Sequence, residues 1–113
     1  MEIREETHGD VLVVAPVGRL DSNTSDELEK ALRTRLEEGR RLVIDLGGVD
    51  YVSSAGLRVL LLAAKRLHDT KGQLVLCSLA DSVHQIFEFA GFLRIFTIEP
   101  SRGAALARMA RAS

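Results

Sequence analysis

The sequence predicts a single α/β domain built on a mostly parallel sheet of about five strands, with about four helices. Its 113 residues, 46% of them hydrophobic, suffice for one core, so we expect residues 1–113 to form one domain. Short apolar segments rich in β-branched residues alternate with segments of helical apolar spacing. Because the links between them are short, this alternation predicts right-handed crossovers and the order β-β-α-β-α-β-α-β-α.

The predicted strands differ in how apolar they are. Residues 3–7 alternate weakly and carry charge, which is typical of an edge strand, whereas residues 11–17 are almost continuously apolar, as in a central strand. Gly9-Asp10 between them suits a tight turn, so these two strands should pair antiparallel at the N-terminal edge. Three further apolar segments should extend the sheet as buried strands: residues 41–46, 73–77 and 94–98.

Four segments carry the periodicity of amphipathic helices. The first begins at Thr24, which with Glu27 matches a capping box in which the two side chains satisfy each other's free amides. It should end at Gly39, a residue type that favours helix termination. The second helix is apolar around most of its circumference and should be largely buried. The apolar positions of the last three helices lie within residues 57–67, 83–90 and 105–109.

The composition argues against several classes of function. Fifteen basic and sixteen acidic residues give a net charge of -1, so the chain has no general attraction to nucleic acid or anionic lipid. The longest apolar run, residues 59–64, is far shorter than the ~20 residues that span a bilayer. A single cysteine cannot form an internal disulfide, and the first residues are charged. We therefore expect a cytoplasmic protein that contacts neither membrane nor nucleic acid directly.

Two loops at the carboxyl ends of predicted strands carry the polar residues best placed for function. The first loop covers residues 18–23 and contains Asp21, and the second covers residues 47–54 and ends in Ser53-Ser54. If the two strands are neighbours, Asp21 and Ser54 should lie close together. Either serine stands where a helix cap is expected, and a capping serine needs no role beyond accepting an amide hydrogen bond. Position alone therefore favours a structural role for the pair.

The residues around the serine pair resemble a known family signature. Residues 47–57, GGVDYVSSAGL, are similar to the signature of STAS-domain anti-sigma factor antagonists, in which an aromatic and an aliphatic residue precede Asp-Ser-Ser/Thr-Gly-Leu. Aligning Tyr51-Val52 and Gly56-Leu57 with this signature places Ser54 at the serine that a partner kinase phosphorylates. The resemblance covers essentially the whole chain. The chain departs from the family at Ser53, which stands where the family has an acidic residue.

A second element adds to the resemblance. Residues 18–21, Gly-Arg-Leu-Asp, are similar to the family's Gly-Glu-Leu-Asp, whose aspartate lies beside the phosphorylated serine. The resemblance implies that Ser54 is the phosphate acceptor, with Ser53 as the alternate, and that Asp21 helps to shape the site. The residues that it implies at the partner-binding surface are Asp21, Ser22, Asn23, Ser53, Ala55, Gly56 and Arg58.

The resemblance implies a regulatory binding protein with a STAS-like fold, not an enzyme. The unphosphorylated form would bind an anti-sigma factor that is also an ATP-dependent serine kinase, and would thereby free a sigma factor. Phosphorylation of Ser54 would release the partner, and a phosphatase is implied as a second partner. ATP would belong to the kinase, so we expect no cofactor in this chain, and its exposed charge permits a monomer. The alternative is a scaffold or sensor module that binds another regulatory protein in a pathway without a sigma factor.

Other kinds of chemistry fit the residues less well. Residues 21–25 imitate the start of a calcium-binding loop, but Asp26 and Leu32 occupy the positions that require glycine and glutamate. The three histidines are scattered, with no second ligand at metal-binding spacing, so we expect no metal site. Cys77 ends an apolar strand and is expected to be a small core residue. No histidine is placed to activate Ser54 as a catalytic nucleophile.

Overall fold

Six strands form the central sheet of the computed structural model, which describes residues 1–112. The strands are β1 (Glu2–His8), β2 (Val11–Leu20), β3 (Arg41–Asp45), β4 (Val49–Val52), β5 (Gln73–Cys77) and β6 (Ile98–Glu99). Five of them lie in the order β1-β2-β3-β5-β6, and β4 pairs with β2. Only the β1–β2 pair is antiparallel among these pairings. The predicted mixed sheet with an antiparallel N-terminal edge strand is confirmed.

The helices cover both faces of this sheet. They are α1 (Thr24–Glu37), α2 (Ser54–Asp69), α3 (Asp81–Phe89) and α4 (Arg102–Ala112). Leucines of α1 and α2 join Val83 and Phe87 of α3 in the larger core, on one face of the sheet. On the other face, Ala105 and Met109 of α4 pack in a smaller cluster with valines of the sheet. None of the helices within residues 1–112 is long and apolar enough to cross a bilayer.

The segment before α2 is more regular than the sequence indicates. Residues 47–54 are expected to form a loop, but four of them form β4, so the sheet has six strands instead of about five. A tight turn, closed by a 2.9 Å hydrogen bond from Val49 N to Leu46 O, directs the chain alongside the end of β2. There Val52 lies opposite Leu20 in the parallel register. This pairing fixes the position at which α2 begins.

The last predicted strand is mostly a turn. Residues 94–98 were expected to be extended, but β6 retains only the last of them together with the residue that follows. Phe96 is buried, and its ring packs against Phe87 with the ring centroids 5.6 Å apart and against Phe92 with the centroids 6.1 Å apart. A hydrogen bond of 3.4 Å from Phe96 N to Phe92 O closes this turn. Aromatic packing in the core thus outweighs the β propensity of the segment.

The start of α1 is stabilised differently from the predicted capping box. Thr24 is the first helical residue, and the N-cap residue, Asn23, makes no side-chain capping hydrogen bond. Instead, Asp21 Oδ1 accepts hydrogen bonds from the backbone N–H groups of Asn23 and Thr24, each at 3.0 Å. The carboxylate of Glu27 binds the amino group of Met1 at 2.9 Å. The predicted helix is therefore confirmed, whereas the predicted Thr24–Glu27 capping box is wrong.

Candidate functional site

Ser53 is the N-cap residue of α2. Its backbone is extended, with φ −84° and ψ 175°, and its Oγ accepts a 3.2 Å hydrogen bond from Gly56 N. Its carbonyl oxygen accepts a second hydrogen bond, of 2.9 Å, from Leu57 N. A serine in this position satisfies one of the N–H groups that every helix leaves without an intrahelical acceptor. The Ser53 hydroxyl is thus engaged in holding the start of the helix.

Ser54 is the first helical residue, and its side chain is exposed. The first turn of α2 contains no acidic residue. The N-terminus of a helix carries a partial positive charge that stabilises an anion by about 0.3–1 kcal/mol. A negatively charged group attached to Ser54 Oγ would therefore lie in solvent, at the end of the helix that favours it.

Gly56 holds the start of α2 against the sheet. It is buried, and a Cβ at this position would lie 2.8 Å from Leu20 O and 3.0 Å from Val52 Cγ1. Only a residue without a side chain allows the helix to approach these atoms so closely. Gly56 therefore lies beneath the exposed surface and packs the start of α2 on the sheet, and its place at the border of the partner contact stays a prediction.

The loop after β2 folds around the Asp21 carboxylate. The carboxylate accepts the two backbone hydrogen bonds described above. The Thr24 hydroxyl closes the loop: it accepts a hydrogen bond from Asp21 N at 2.9 Å and donates one to Arg19 O at 2.6 Å. Chiefly because the Thr24 backbone N–H donates to it, the pKa of the Asp21 carboxyl lies below its usual value. Asp21 is thus an ionised residue that shapes the loop and holds the first turn of α1.

The two loops meet because β2 and β4 are neighbours. Leu20 and Val52 are register partners, and Ser53 N donates a 2.8 Å hydrogen bond to Leu20 O. Asp21 directly follows Leu20, and the serine pair directly follows Val52. The pairing of β2 with β4 therefore brings the segment that carries Asp21 next to the segment that carries the serine pair.

The remaining residues expected at the partner contact lie on the same two segments of the chain. Ser22 and Asn23 are exposed in the loop after β2, and Ala55 is half-buried in the first turn of α2. Arg58 is exposed one helical turn beyond Ser54. Ser22 and Asn23 after β2 and Arg58 on α2 are thus exposed polar residues on the two segments that the Leu20–Val52 pairing brings together.

A cation–π contact that the sequence does not indicate joins β2 and β4 just before the two loops. The guanidinium carbon of Arg19 lies 4.3 Å from the centroid of the Tyr51 ring, and both residues are exposed. The two residues are partners in the β2–β4 register, next to a bulge at Gly18, whose φ is +111°. Both belong to the family elements identified in the sequence, but only the pairing of β4 with β2 shows that they touch.

The other reactive residues form no second centre in the part of the chain that the structure describes. No group of three or more His, Cys, Asp or Glu side chains among residues 1–112 is placed to hold a metal ion. Cys77 is buried, and burial raises the pKa of its thiol. The prediction that Cys77 is a small core residue is confirmed.

Comparison with known proteins shows the family to which this chain belongs. The sequence pattern of the STAS domain matches residues 2–105. A Bordetella bronchiseptica protein, provisionally named anti-sigma factor antagonist BtrV, is 47% identical over 98 residues, which are 86% of this chain and 84% of that protein. The chain belongs to the STAS-domain anti-sigma factor antagonist family. The anti-sigma-B factor antagonist of Listeria monocytogenes is 35% identical to this STAS domain over 101 residues, 88% of this chain and 86% of the relative.

Solved structures share the architecture of this STAS domain. The anti-sigma factor antagonist SpoIIAA in its unphosphorylated form superposes with a TM-score of 0.81 at 17% identity, over 99% of this chain and 98% of that one. The Bacillus SpoIIAA structure in the phosphorylated form gives a TM-score of 0.73 at 16% identity, over 96% and 99% of the two chains. At these identities the likeness establishes the fold.

Proposed function

We propose that this STAS domain is a non-enzymatic anti-sigma factor antagonist that is switched off by phosphorylation of Ser54. In the unphosphorylated form it binds an anti-sigma factor that is also a serine kinase, and so frees a sigma factor. The observation that carries the proposal is an exposed Ser54 hydroxyl at the start of α2, beside the Asp21 loop. Relatives named as anti-sigma factor antagonists support the binding function.

The hydrogen bonds favour Ser54 over Ser53 as the phosphate acceptor. Ser53 is half-buried and its Oγ accepts a hydrogen bond from Gly56 N, so a phosphoryl group there would disturb the helix cap. Loss of a capping interaction costs about 1 kcal/mol. Ser54 Oγ is exposed and can take the group without loss of that cap. The alternate site at Ser53 is therefore the less favourable of the two.

The modification is a phosphoryl transfer for which the kinase supplies the nucleotide. Ser54 Oγ forms a bond to the γ-phosphorus of ATP while the bond from that phosphorus to the bridging oxygen of ADP breaks. The hydroxyl proton passes to a base of the kinase, and ADP leaves with the bridging oxygen. A phosphatase reverses the modification by hydrolysis, which consumes water, returns the hydroxyl and releases inorganic phosphate. The STAS domain itself requires no cofactor for either step.

The switch acts on the interface, not on the fold. Phosphorylation adds a charge of about -1.5 to -2 at neutral pH. Because Ser54 is exposed, this charge does not enter the core. A new anion that faces an acidic or apolar partner surface costs several kcal/mol, and a loss of ~2–4 kcal/mol weakens binding about 30- to 1000-fold. A change of that size is sufficient to release the partner.

Phosphate mapping tests the assignment. The wild-type chain and single variants are incubated with the cognate kinase and ATP, and phosphopeptides are located by mass spectrometry. We expect phosphate on Ser54 in the wild type and in Ser53→Ala, and none in Ser54→Ala. Ser82→Ala is the matched control, because Ser82 is an exposed serine in the first turn of α3. Phosphate on Ser53, or undiminished incorporation in Ser54→Ala, would contradict the assignment.

A displacement assay separates the antagonist from the alternative scaffold or sensor module. The unphosphorylated chain is added to a preformed complex of the anti-sigma factor and its sigma factor. An antagonist releases the sigma factor in proportion to the chain added. Binding to the complex without release of the sigma factor would favour the scaffold instead.

A further inference from the structure

Arg58 is an exposed cation one helical turn beyond Ser54. Among residues 1–112 it takes part in no ion pair, whereas Arg33, Arg35 and Arg102 each bind a carboxylate. Residues four apart on a helix share one face, with Cβ atoms about 5–6 Å apart. The guanidinium of Arg58 is therefore available to a group attached to Ser54.

The sequence of α2 leaves Arg58 without a competing carboxylate on its own helix. The positions three and four residues before and after it are occupied by Ala55, Ser54, Leu61 and Leu62. Side chains on a helix lean toward its N-terminus, so we expect the long side chain of Arg58 to extend in the direction of Ser54. The lean expected of a helical side chain and the absence of an acidic residue at these four positions both favour contact with an anion at Ser54.

We propose that Arg58 is the internal partner of the phosphate on Ser54, and that this pairing withdraws Arg58 from the anti-sigma factor. Guanidinium groups bind phosphate through two parallel charge-assisted hydrogen bonds. Phosphorylation then changes two groups of the contact surface: it adds an anion at Ser54 and engages the neighbouring cation. This inference rests on the proposed modification of Ser54 and specifies how the modified surface differs from the unmodified one.

The pairing is tested on a chain that carries phosphoserine at position 54 by genetic encoding or semisynthesis, so that no kinase is needed. The second pKa of the phosphate, about 6 in an exposed phosphoserine, is measured by ³¹P NMR titration. A nearby cation favours the dianion, so Arg58→Gln should raise this pKa by about 0.3–1 unit. Lys65→Gln is the matched control, because Lys65 is exposed on the same helix about three turns from Ser54. An unchanged pKa in Arg58→Gln, or an equal rise in Lys65→Gln, would overturn the pairing.

Binding of the unphosphorylated chain tests the other half of the inference. Arg58→Gln should weaken binding to the anti-sigma factor about 3- to 10-fold, as expected for one lost charged contact, and Lys65→Gln should not. Equal affinity of wild type and Arg58→Gln would overturn the claim that the partner uses Arg58. If the kinase leaves Ser54 unmodified while the encoded phosphoserine shows the pKa shift, the proposed function fails and the pairing stands. If the kinase modifies Ser54 but Arg58→Gln leaves the phosphate pKa unchanged, the pairing fails and the proposed function stands.

Discussion

Replacement of Gly56 by alanine is expected to destabilise the start of α2. The new methyl group would lie 2.8 Å from Leu20 O and 2.9 Å from Leu20 Cγ, distances that Cβ atoms in real structures essentially never show. Leu20 is completely buried, and its carbonyl oxygen also accepts the hydrogen bond from Ser53 N, so neither atom can move without loss. Overpacking of this kind costs about 1–3 kcal/mol. Because both contacted atoms are held in place, the upper end of this range applies, and after alanine regains up to about 1 kcal/mol of helix propensity we expect a net loss of about 2 kcal/mol.

Urea unfolding, followed by far-ultraviolet circular dichroism, measures this loss. The transition midpoint should fall, while the dependence of the unfolding free energy on urea concentration should stay the same. Gly103→Ala in α4 is the matched control, because its Cβ would have only Ser101 Oγ within 4 Å, at 3.9 Å. We expect that substitution to be neutral or to stabilise the protein by up to about 1 kcal/mol. A Gly56→Ala variant as stable as the wild type would refute the close packing of α2 on β2. Equal losses in both variants would point to a general intolerance of alanine.

Three further predictions concern the Ser53 cap, the Asp21 carboxylate and the buried Cys77 thiol. Ser53→Ala should lower the free energy of unfolding by about 1 kcal/mol because it removes the cap, whereas Ser54→Ala should change it by less than about 0.5 kcal/mol, as urea unfolding would show. Because the pKa of Asp21 is lowered by folding, its stabilising effect should be present above the unfolded-state pKa and disappear as the pH falls through the folded-state value. The stability of Asp21→Asn, measured between pH 2 and 6, should therefore fall less on acidification than that of the wild type. Cys77 should react slowly with a thiol reagent in the folded chain and rapidly in denaturant, since it is buried and its thiol pKa is raised.

The sequence predicts the elements whose periodicity and termination agree with their final packing. Gly39, the predicted end of the first helix, follows α1 with a φ of +68°, an angle that glycine adopts readily, and Gly91 follows α3 with a φ of +76°. The strand β4 does not follow from its sequence, because its two central residues are exposed and only its ends are buried. Its formation depends on pairing with β2, which a local pattern does not encode.

The site follows the same division between local and long-range information. The family signature indicates where the serine pair lies, and a capping serine at the start of α2 is expected from local preferences. Which hydroxyl is engaged and which is exposed depends on the hydrogen bond from Gly56 N, which only the structure shows. The contact between Arg19 and Tyr51 depends in addition on the register of β2 and β4, which joins residues far apart in the chain.

The switch is tested most directly by the affinity of the anti-sigma factor for two forms of the chain, one unmodified and one with phosphoserine at position 54 only. Isothermal titration calorimetry at fixed salt and nucleotide concentration gives both dissociation constants. We predict that phosphorylation of Ser54 weakens binding about 30- to 1000-fold, while far-ultraviolet circular dichroism shows the fold to be unchanged. Equal affinities for the two forms would contradict the role of Ser54 as the switch.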